Sequence, residues 1–375
     1  MSKYFFHTFE FINQEFNFMA GVEIAGGMPL LTDVTIFGND STNESGWKQI
    51  NFEKSVFDGK VIFRFIKPKN FYKFKINSVT IFEIENHPKI TLLVLPKKTK
   101  TEIFEYLKTK NIVFLACAKN CAETILSTID VISSIGQYFQ KSEIFVFEND
   151  SIDETKNILV SCERNGKLKC ISCDGLDLSF ELRTQRLAFA RNTLLNEAKK
   201  INADYFCMVD VDGIIGNFSD QLISSFCSNF EFEEAWDAVF PVHSDFYYDL
   251  WALRHPSFMP LDYKKKMYSM PAVFSQKDIE KLQVTKFHLF NFKNLSGWLE
   301  VDSAFGGMGL YKSSAFQQSR YFGMEDGQEI CEHLSFHHHA KLLGATFFIN
   351  PSFVVGEAST KFNEHAHENR RTDKS

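Results

Sequence analysis

The rhythm of apolar and polar positions changes near residue 105. Ahead of it, short segments that run or alternate apolar end in turn residues, at 34–37, 61–66, 78–85 and 90–95. Between them lie Asn39-Asp40-Ser41-Thr42-Asn43 and Pro68-Lys69-Asn70, where side chains that bond their own backbone, and proline, favour turns. Nothing in the region keeps a long helical period, so residues 1–105 are expected to form a small all-β, sandwich-like domain. The charged stretch 96–101 reads as the connection to a second domain.

From residue 106 strands and helices alternate. Residues 112–117, 143–148 and 168–171 read as strands, and 122–139 as a helix. A second helix follows the turn at 149–153, and a third covers 186–200. A strand at 205–209 then ends in acidic residues. Such alternation predicts an α/β domain over 106–363, a mostly parallel sheet with helices on both faces, before a polar tail at 364–375. In open sheets of this kind, ligands gather beyond the carboxyl ends of the strands.

Composition narrows the partners. Apolar residues make up 44% and charged residues 23%, the balance of a packed rather than a disordered chain. The 41 phenylalanines, beside plentiful Lys, Asn and Ile, read as coding bias rather than a binding feature. A net charge of −6 argues against a general nucleic-acid binder, which gains its affinity by neutralising phosphates. No stretch has the ~20 apolar residues of a membrane span, and acidic and polar residues arrive too early for a secretory signal. The eight cysteines are scattered, so reduced thiols and a cytoplasmic setting are expected. Cys170 and Cys173 have redox or zinc spacing, but no second such pair accompanies them.

The strongest chemical signal is Tyr205-Phe206-Cys207-Met208-Val209-Asp210-Val211-Asp212-Gly213. An apolar strand delivers two carboxylates two positions apart, which in an extended chain share one face. Hard divalent cations such as Mg²⁺ or Mn²⁺ take oxygen ligands and need only one or two carboxylates beside substrate phosphates. Further along stand the glycine-rich Ser303-Ala304-Phe305-Gly306-Gly307-Met308-Gly309 and the helix opening Cys331-Glu332-His333.

In the order of these motifs the chain resembles the GT-A glycosyltransferases over about residues 110 to 360. The resemblance implies a Rossmann-like domain, a nucleotide-sugar donor (UDP- or GDP-linked) and a Mn²⁺ or Mg²⁺ cofactor. It also implies transfer of a hexose to a glycan, lipid-linked or protein acceptor. It places Ala116, in the first strand, and Glu148, Asn149 and Asp150, in the turn after the second, near the nucleotide. Arg183, Arg191 and Asn192 fall on the helix before the acidic strand, where they would assist the donor. Asp210 and Asp212 would hold metal and diphosphate. Gly306 and Gly307 would border the sugar. Tyr247-Tyr248-Asp249-Leu250-Trp251-Ala252-Leu253-Arg254 resembles a segment of capsule-associated mannosyltransferase-like enzymes, with Trp251 and Arg254 beside the donor sugar. Glu332 stands where inverting members keep their catalytic base, with His333 replacing a second acid. Glu357 meets the position of a metal-binding His, with His365 and His367 as other sources of that ligand.

Other readings compete. Asp210 and Asp212 could form the nucleophile loop of a haloacid-dehalogenase-type phosphatase, although that loop usually opens its domain. His333 and His337, four apart on a helix, could share a zinc ion, but a polar, partly exposed cluster is the plainer reading. A non-catalytic glycan-binding protein would keep the fold without the chemistry.

Overall fold

The computed structural model describes eight strands within residues 3–96, and then residues 98–216, 220–256, 258–260, 262, 291–295, 298–316 and 319–359. His365, His367 and the polar tail lie outside these residues. The chain divides into two compact units. The first takes in Met1–Thr99, Glu231–Ala235 and Leu295–Glu300, and the second takes in the rest.

The strands of the first unit are β1 (Lys3–Glu10), β2 (Phe18–Ala25), β3 (Leu31–Asn39), β4 (Trp47–Ile50), β5 (Glu53–Phe57), β6 (Lys60–Ile66), β7 (Lys73–Thr80) and β8 (Lys89–Pro96). They form two four-stranded sheets, in the orders β1-β7-β3-β4 and β5-β6-β2-β8. Every pairing in them is antiparallel, but only β3–β4 and β5–β6 join strands consecutive in the chain, and the other pairings bring together distant segments. Apolar patterning located β3, β6 and β8, met β7 only at its end (the rest of 78–85 lies outside the described residues), and missed β1, β2, β4 and β5. A two-residue strand, β14 (Leu299–Glu300), also belongs to this unit.

The second unit opens with α1 (Lys100–Leu107), β9 (Asn111–Ala118), α2 (Ile125–Gly136), β10 (Lys141–Glu148), α3 (Thr155–Arg164) and β11 (Lys169–Ser172). Next come α4 (Leu176–Ser179), α5 (Arg183–Ala198), β12 (Tyr205–Asp210), α6 (Asp220–Cys227) and β13 (Ala238–Val242). It closes with β15 (Met308–Lys312), α7 (Ser313–Phe316), β16 (Met324–Glu325), β17 (Gln328–Glu329), α8 (Glu332–Leu342) and β18 (Phe347–Val354). The main sheet runs β11-β10-β9-β12-β15-β13-β18. β9 to β12 pair in parallel, as do β13 and β18. β15 is antiparallel to both of its neighbours. This is the mostly parallel α/β sheet that the alternation predicts, with one reversed strand that the pattern does not show.

The sheet is buried because its strands are apolar almost throughout. Phe114, Leu115, Ala116, Val146, Cys207 and Val209 are each at most 1% exposed. Behind β12 the rings of Phe139, Tyr205, Phe226, Phe230 and Trp236 meet at centroid distances of 5.3–6.4 Å. Part of the phenylalanine excess is therefore core. α5 packs on β9 and β10, and α8 meets α5. The buried positions of α5 include Thr184, Ala188, Arg191, Leu195 and Ala198, the three-and-four spacing of a helix face turned inward. An arginine occupies the middle of that face.

Candidate active site at the carboxyl end of β12

β12 is buried until its last residue, and only Asp210 reaches the edge. It lies between β9, where Cys117 is its register partner, and the turn that leads into β15. The Asp210 amide donates to the Gly307 carbonyl at 2.8 Å. Thr124 Oγ1 donates to the Val211 carbonyl at 2.5 Å, which fixes the chain between the two aspartates. The segment after β18 runs beside the loop that follows Asp212, with Gly216 N donating to Val355 O at 2.7 Å. This brings the exposed Glu357 to the same edge of the sheet.

Arg191 joins the two halves of the site. Its guanidinium is ion-paired with Glu332 through one terminal nitrogen, and lies 3.3 Å from Asp210 Oδ1 through the other. The Arg191 and Glu332 side chains are 4% and 5% exposed, and that of Asp210 is 24% exposed. The guanidinium carbon also sits 5.3 Å from the Phe305 ring and 5.9 Å from that of Tyr321, a cation–π cage. Burial would lower the Arg191 pKa, but nearby charges led by Asp210 raise it overall. Glu332 is the first residue of α8, where the unpaired amides of a helix favour a carboxylate.

The glycine-rich turn and the 243–254 loop are built as one piece. Gly306 and Gly307 have φ of +69° and +87°, which residues with a Cβ rarely adopt. A Cβ on Gly307 would stand 2.5 Å from Ile214 Cγ2 and 3.4 Å from the Tyr248 hydroxyl. Phe305 N donates to the Tyr247 hydroxyl at 3.1 Å, and Gly306 N to Asp249 Oδ2 at 3.0 Å. The Tyr248 hydroxyl is held protonated, first by burial and then by the charges of Asp210, Asp249 and Asp212. Negative charge is thus concentrated at this end of the sheet. Trp251 Nε1 and Arg254 both reach Asp262, at 3.2 and 3.1 Å. Nothing in the local sequence around Asp262 points to that role.

Several sequence candidates are placed differently from their expected roles. Ala116 is fully buried within β9, between Val146 and Val209, so it cannot touch a ligand in this arrangement. Glu148 is likewise 0% exposed. Its two oxygens accept from Ser151 N at 3.0 Å and Ser172 Oγ at 2.6 Å, which makes it a brace between β10 and β11. Asn149 is also buried and donates to Asp150 at 3.2 Å. Asp150, at φ +49°, accepts from the amides of Gly175 and Asp177. Those bonds, the Gly175 amide first, hold its pKa low. Asn192 both donates to Tyr321 O and accepts from Tyr321 N, at 2.8 and 3.0 Å, so it anchors the cage rather than facing a donor. Arg183 is exposed at the start of α5.

The histidines of α8 do not gather. His333 and His337 are buried while His338 and His339 are exposed. His333 stacks on Phe305 at 3.8 Å between centroids. Both ring nitrogens of His337 are engaged, Nδ1 with Ser303 Oγ at 2.7 Å and Nε2 with the Tyr311 hydroxyl at 2.9 Å. These contacts disfavour zinc and leave the cluster partly exposed, with half of it in the core. Burial, then Arg191, then Lys341 push the His337 pKa from 6.5 down to about 3. Between those values the unfolded chain binds a proton that the folded chain refuses, so stability is expected to fall as pH drops from 6.5 toward 3. His337→Gln flattens that slope by up to about 1.4 kcal/mol per pH unit, read from urea unfolding at several pH values. An unchanged slope would show that His337 takes up its proton in the fold.

No family model matches the chain, and no curated protein matches it. Among solved structures it is similar to a mannosyltransferase from Pyrobaculum calidifontis, determined with GDP-Man and Mn²⁺. The identity is 15% and the TM-score 0.36, over 67% of this chain and 57% of that one. It is similar to Staphylococcus aureus TarS 1–349 at 12% identity and TM-score 0.37, over 68% of this chain and 62% of that one. A third is glucosyl-3-phosphoglycerate synthase of Mycobacterium tuberculosis, determined with Mn²⁺, UDP and glucosyl-3-phosphoglycerate. There the identity is 13% and the TM-score 0.36, over 70% of this chain and 76% of that one. The chain therefore spans less than two thirds of the first two.

Proposed function

We propose that the chain is a metal-dependent glycosyltransferase of the GT-A type, transferring a sugar from a nucleotide-sugar donor to an acceptor hydroxyl. The observation that carries this reading is the bridge from Asp210 through Arg191 to Glu332 at the carboxyl end of the sheet. It sets a group suited to the donor diphosphate's cation and a group suited to an acceptor proton on one guanidinium.

The residues fit a divalent cation by chemistry. Asp210 ends β12 and Asp212 lies two residues beyond it, three carboxylates raise the Tyr248 pKa, and all offer hard oxygen donors. Among the described residues no three acidic, His or Cys side chains converge as a ready-made cage. Mg²⁺ and Mn²⁺ sites completed by substrate phosphates do not require one. Asp210 and Asp212 would hold the ion, with Glu357 on the neighbouring segment as a further oxygen. When bound, the metal offsets negative charge on the departing nucleoside diphosphate. Glu332 would take the proton from the acceptor hydroxyl as its oxygen bonds to the anomeric carbon and the bond to the diphosphate breaks. Arg191 is a positioning residue that holds the Glu332 carboxylate in place.

Calorimetric titration of UDP- and GDP-sugars, with and without Mn²⁺, tests the reading. Binding of one donor is expected to need the metal and to weaken about 100-fold or more in Asp212→Asn, the scale of losing a charged ligand. Failure of every nucleotide-sugar to bind, beside hydrolysis of a simple phosphate ester, would instead favour the phosphatase.

A further inference from the structure

The loop after Asp212 and the loop after β13 are tied together by the segment that follows β18. Val355 N donates to Val242 O at 3.2 Å, Gly216 N to Val355 O at 2.7 Å, and Ser244 N to Gly356 O at 2.9 Å. The chain is threaded too tightly for a side chain at Gly356, where a Cβ would stand 2.4 Å from Ile214 O. Ile214 is itself 0% exposed and lies two residues past Asp212. The segment and the loop that carries Asp212 therefore share one packed contact.

On the near side of Glu357 the segment is held by these backbone bonds. On its far side the partner is a carboxylate from the 243–254 loop. Asp245 Oδ1 accepts from Ala358 N at 2.8 Å and Phe246 N at 2.9 Å, and Oδ2 accepts from Ser359 N at 2.9 Å. Amides on both oxygens call for an acid, because an asparagine has one acceptor oxygen and would turn a donor toward a donor. Bonds to an ionised acceptor are also the stronger kind. Glu357 thus lies between two clamped stretches while it remains exposed at the edge. Fixing the backbone on both sides of it narrows the positions its carboxylate can reach.

We propose that Asp245 is a positioning residue for the cation site. By gripping the Ala358 and Ser359 amides it sets Glu357 where its carboxylate can join Asp210 and Asp212 around a divalent ion. Asp245, whose oxygens are taken by amides, acts through Glu357 and is not itself a ligand. The proposal rests on the reading that those three carboxylates hold the ion.

Calorimetric titration of Mn²⁺ into the full chain, alone and with UDP or GDP, tests it through a cycle of variants. Glu357→Gln is expected to weaken Mn²⁺ binding about tenfold or more, and Asp245→Ala by a similar factor, the scale on which groups that orient a metal ligand act. In the Glu357→Gln chain, adding Asp245→Ala is expected to cost less than about threefold, because the carboxylate it places is gone. Independent losses that multiply to about 100-fold would overturn the proposal, since Asp245 would then act by another route. So would parent-like Mn²⁺ affinity in either single variant. Asp245→Asn, which keeps the shape and one acceptor, is expected to fall between parent and alanine, and it carries the same cycle should the alanine variant fail to fold. Hydrogen exchange at Ala358 and Ser359 gives a readout without metal: it is expected to quicken in Asp245→Ala, and unchanged exchange would show that the segment is held without Asp245. Mn²⁺ binding that follows this cycle while neither UDP nor GDP binds removes the transferase and leaves the positioned cation site. Nucleotide binding that needs Mn²⁺ but ignores Asp245 removes the positioning role alone.

Discussion

Replacing Arg191 with leucine is expected to destabilise the chain by about 3–5 kcal/mol, the usual cost of stranding a buried charge by removing its partner. Arg191 touches two carboxylates, and the Glu332 side chain is only 5% exposed. Leucine fits the apolar face of α5, where Ala188 and Leu195 are its neighbours, so lost packing is a small part of the cost. Urea unfolding of Arg191→Leu, Glu332→Leu and the double variant separates these effects. If the ion pair sets the cost, the double variant recovers much of what the Arg191 change loses, because no Glu332 charge is left alone. Additive losses would mean that Glu332 finds another partner or gives up its charge when Arg191 is gone.

Glu332→Gln is expected to lower kcat by about 10²–10⁴, the usual contribution of a general base. Metal-dependent donor binding should stay within a few fold, because Glu332 does not touch the Asp210–Asp212 edge except through Arg191. The amide keeps the shape and can still accept a bond from the guanidinium, so a fold defect is not the expected outcome. An ion-paired carboxylate is a weaker base than a free one. Donor phosphates arriving beside Asp210 would compete for the same guanidinium and leave Glu332 better able to accept a proton. Measured kcat against donor binding decides the role: a kcat near that of the parent chain would remove Glu332 from the chemistry and leave it as the partner of Arg191.

The sequence showed the site's address more clearly than its wiring. The acidic end of β12 was legible because the chain changes there from apolar to acidic, although the strand itself stops at Asp210. The glycine turn was legible because only glycine tolerates its φ. Ala116 and Glu148 were misplaced for a related reason. Periodicity locates a strand but does not say which residue is the last one covered. Glu148 is satisfied in part by Ser172, 24 positions away, a partner that local pattern cannot supply. The pairing of Arg191 with Glu332 spans 141 positions. What sequence does show is an arginine on the inward face of an apolar helix, and such a residue implies a buried partner before the partner is known.

The reversed strand β15 has a consequence for how this unit can be altered. Because it runs against its neighbours, the turn before it arrives at the edge where Asp210 stands, so that edge receives chain from both directions. The opposite edge is left with plain connections. Gly166 and Gly344, which lead into β11 and β18 there, have positive φ and open space around the position of a Cβ. They are natural seams for inserting a reporter module or for relocating the chain ends, since an addition there lengthens the sheet's blunt side and leaves the Asp210 side as it was.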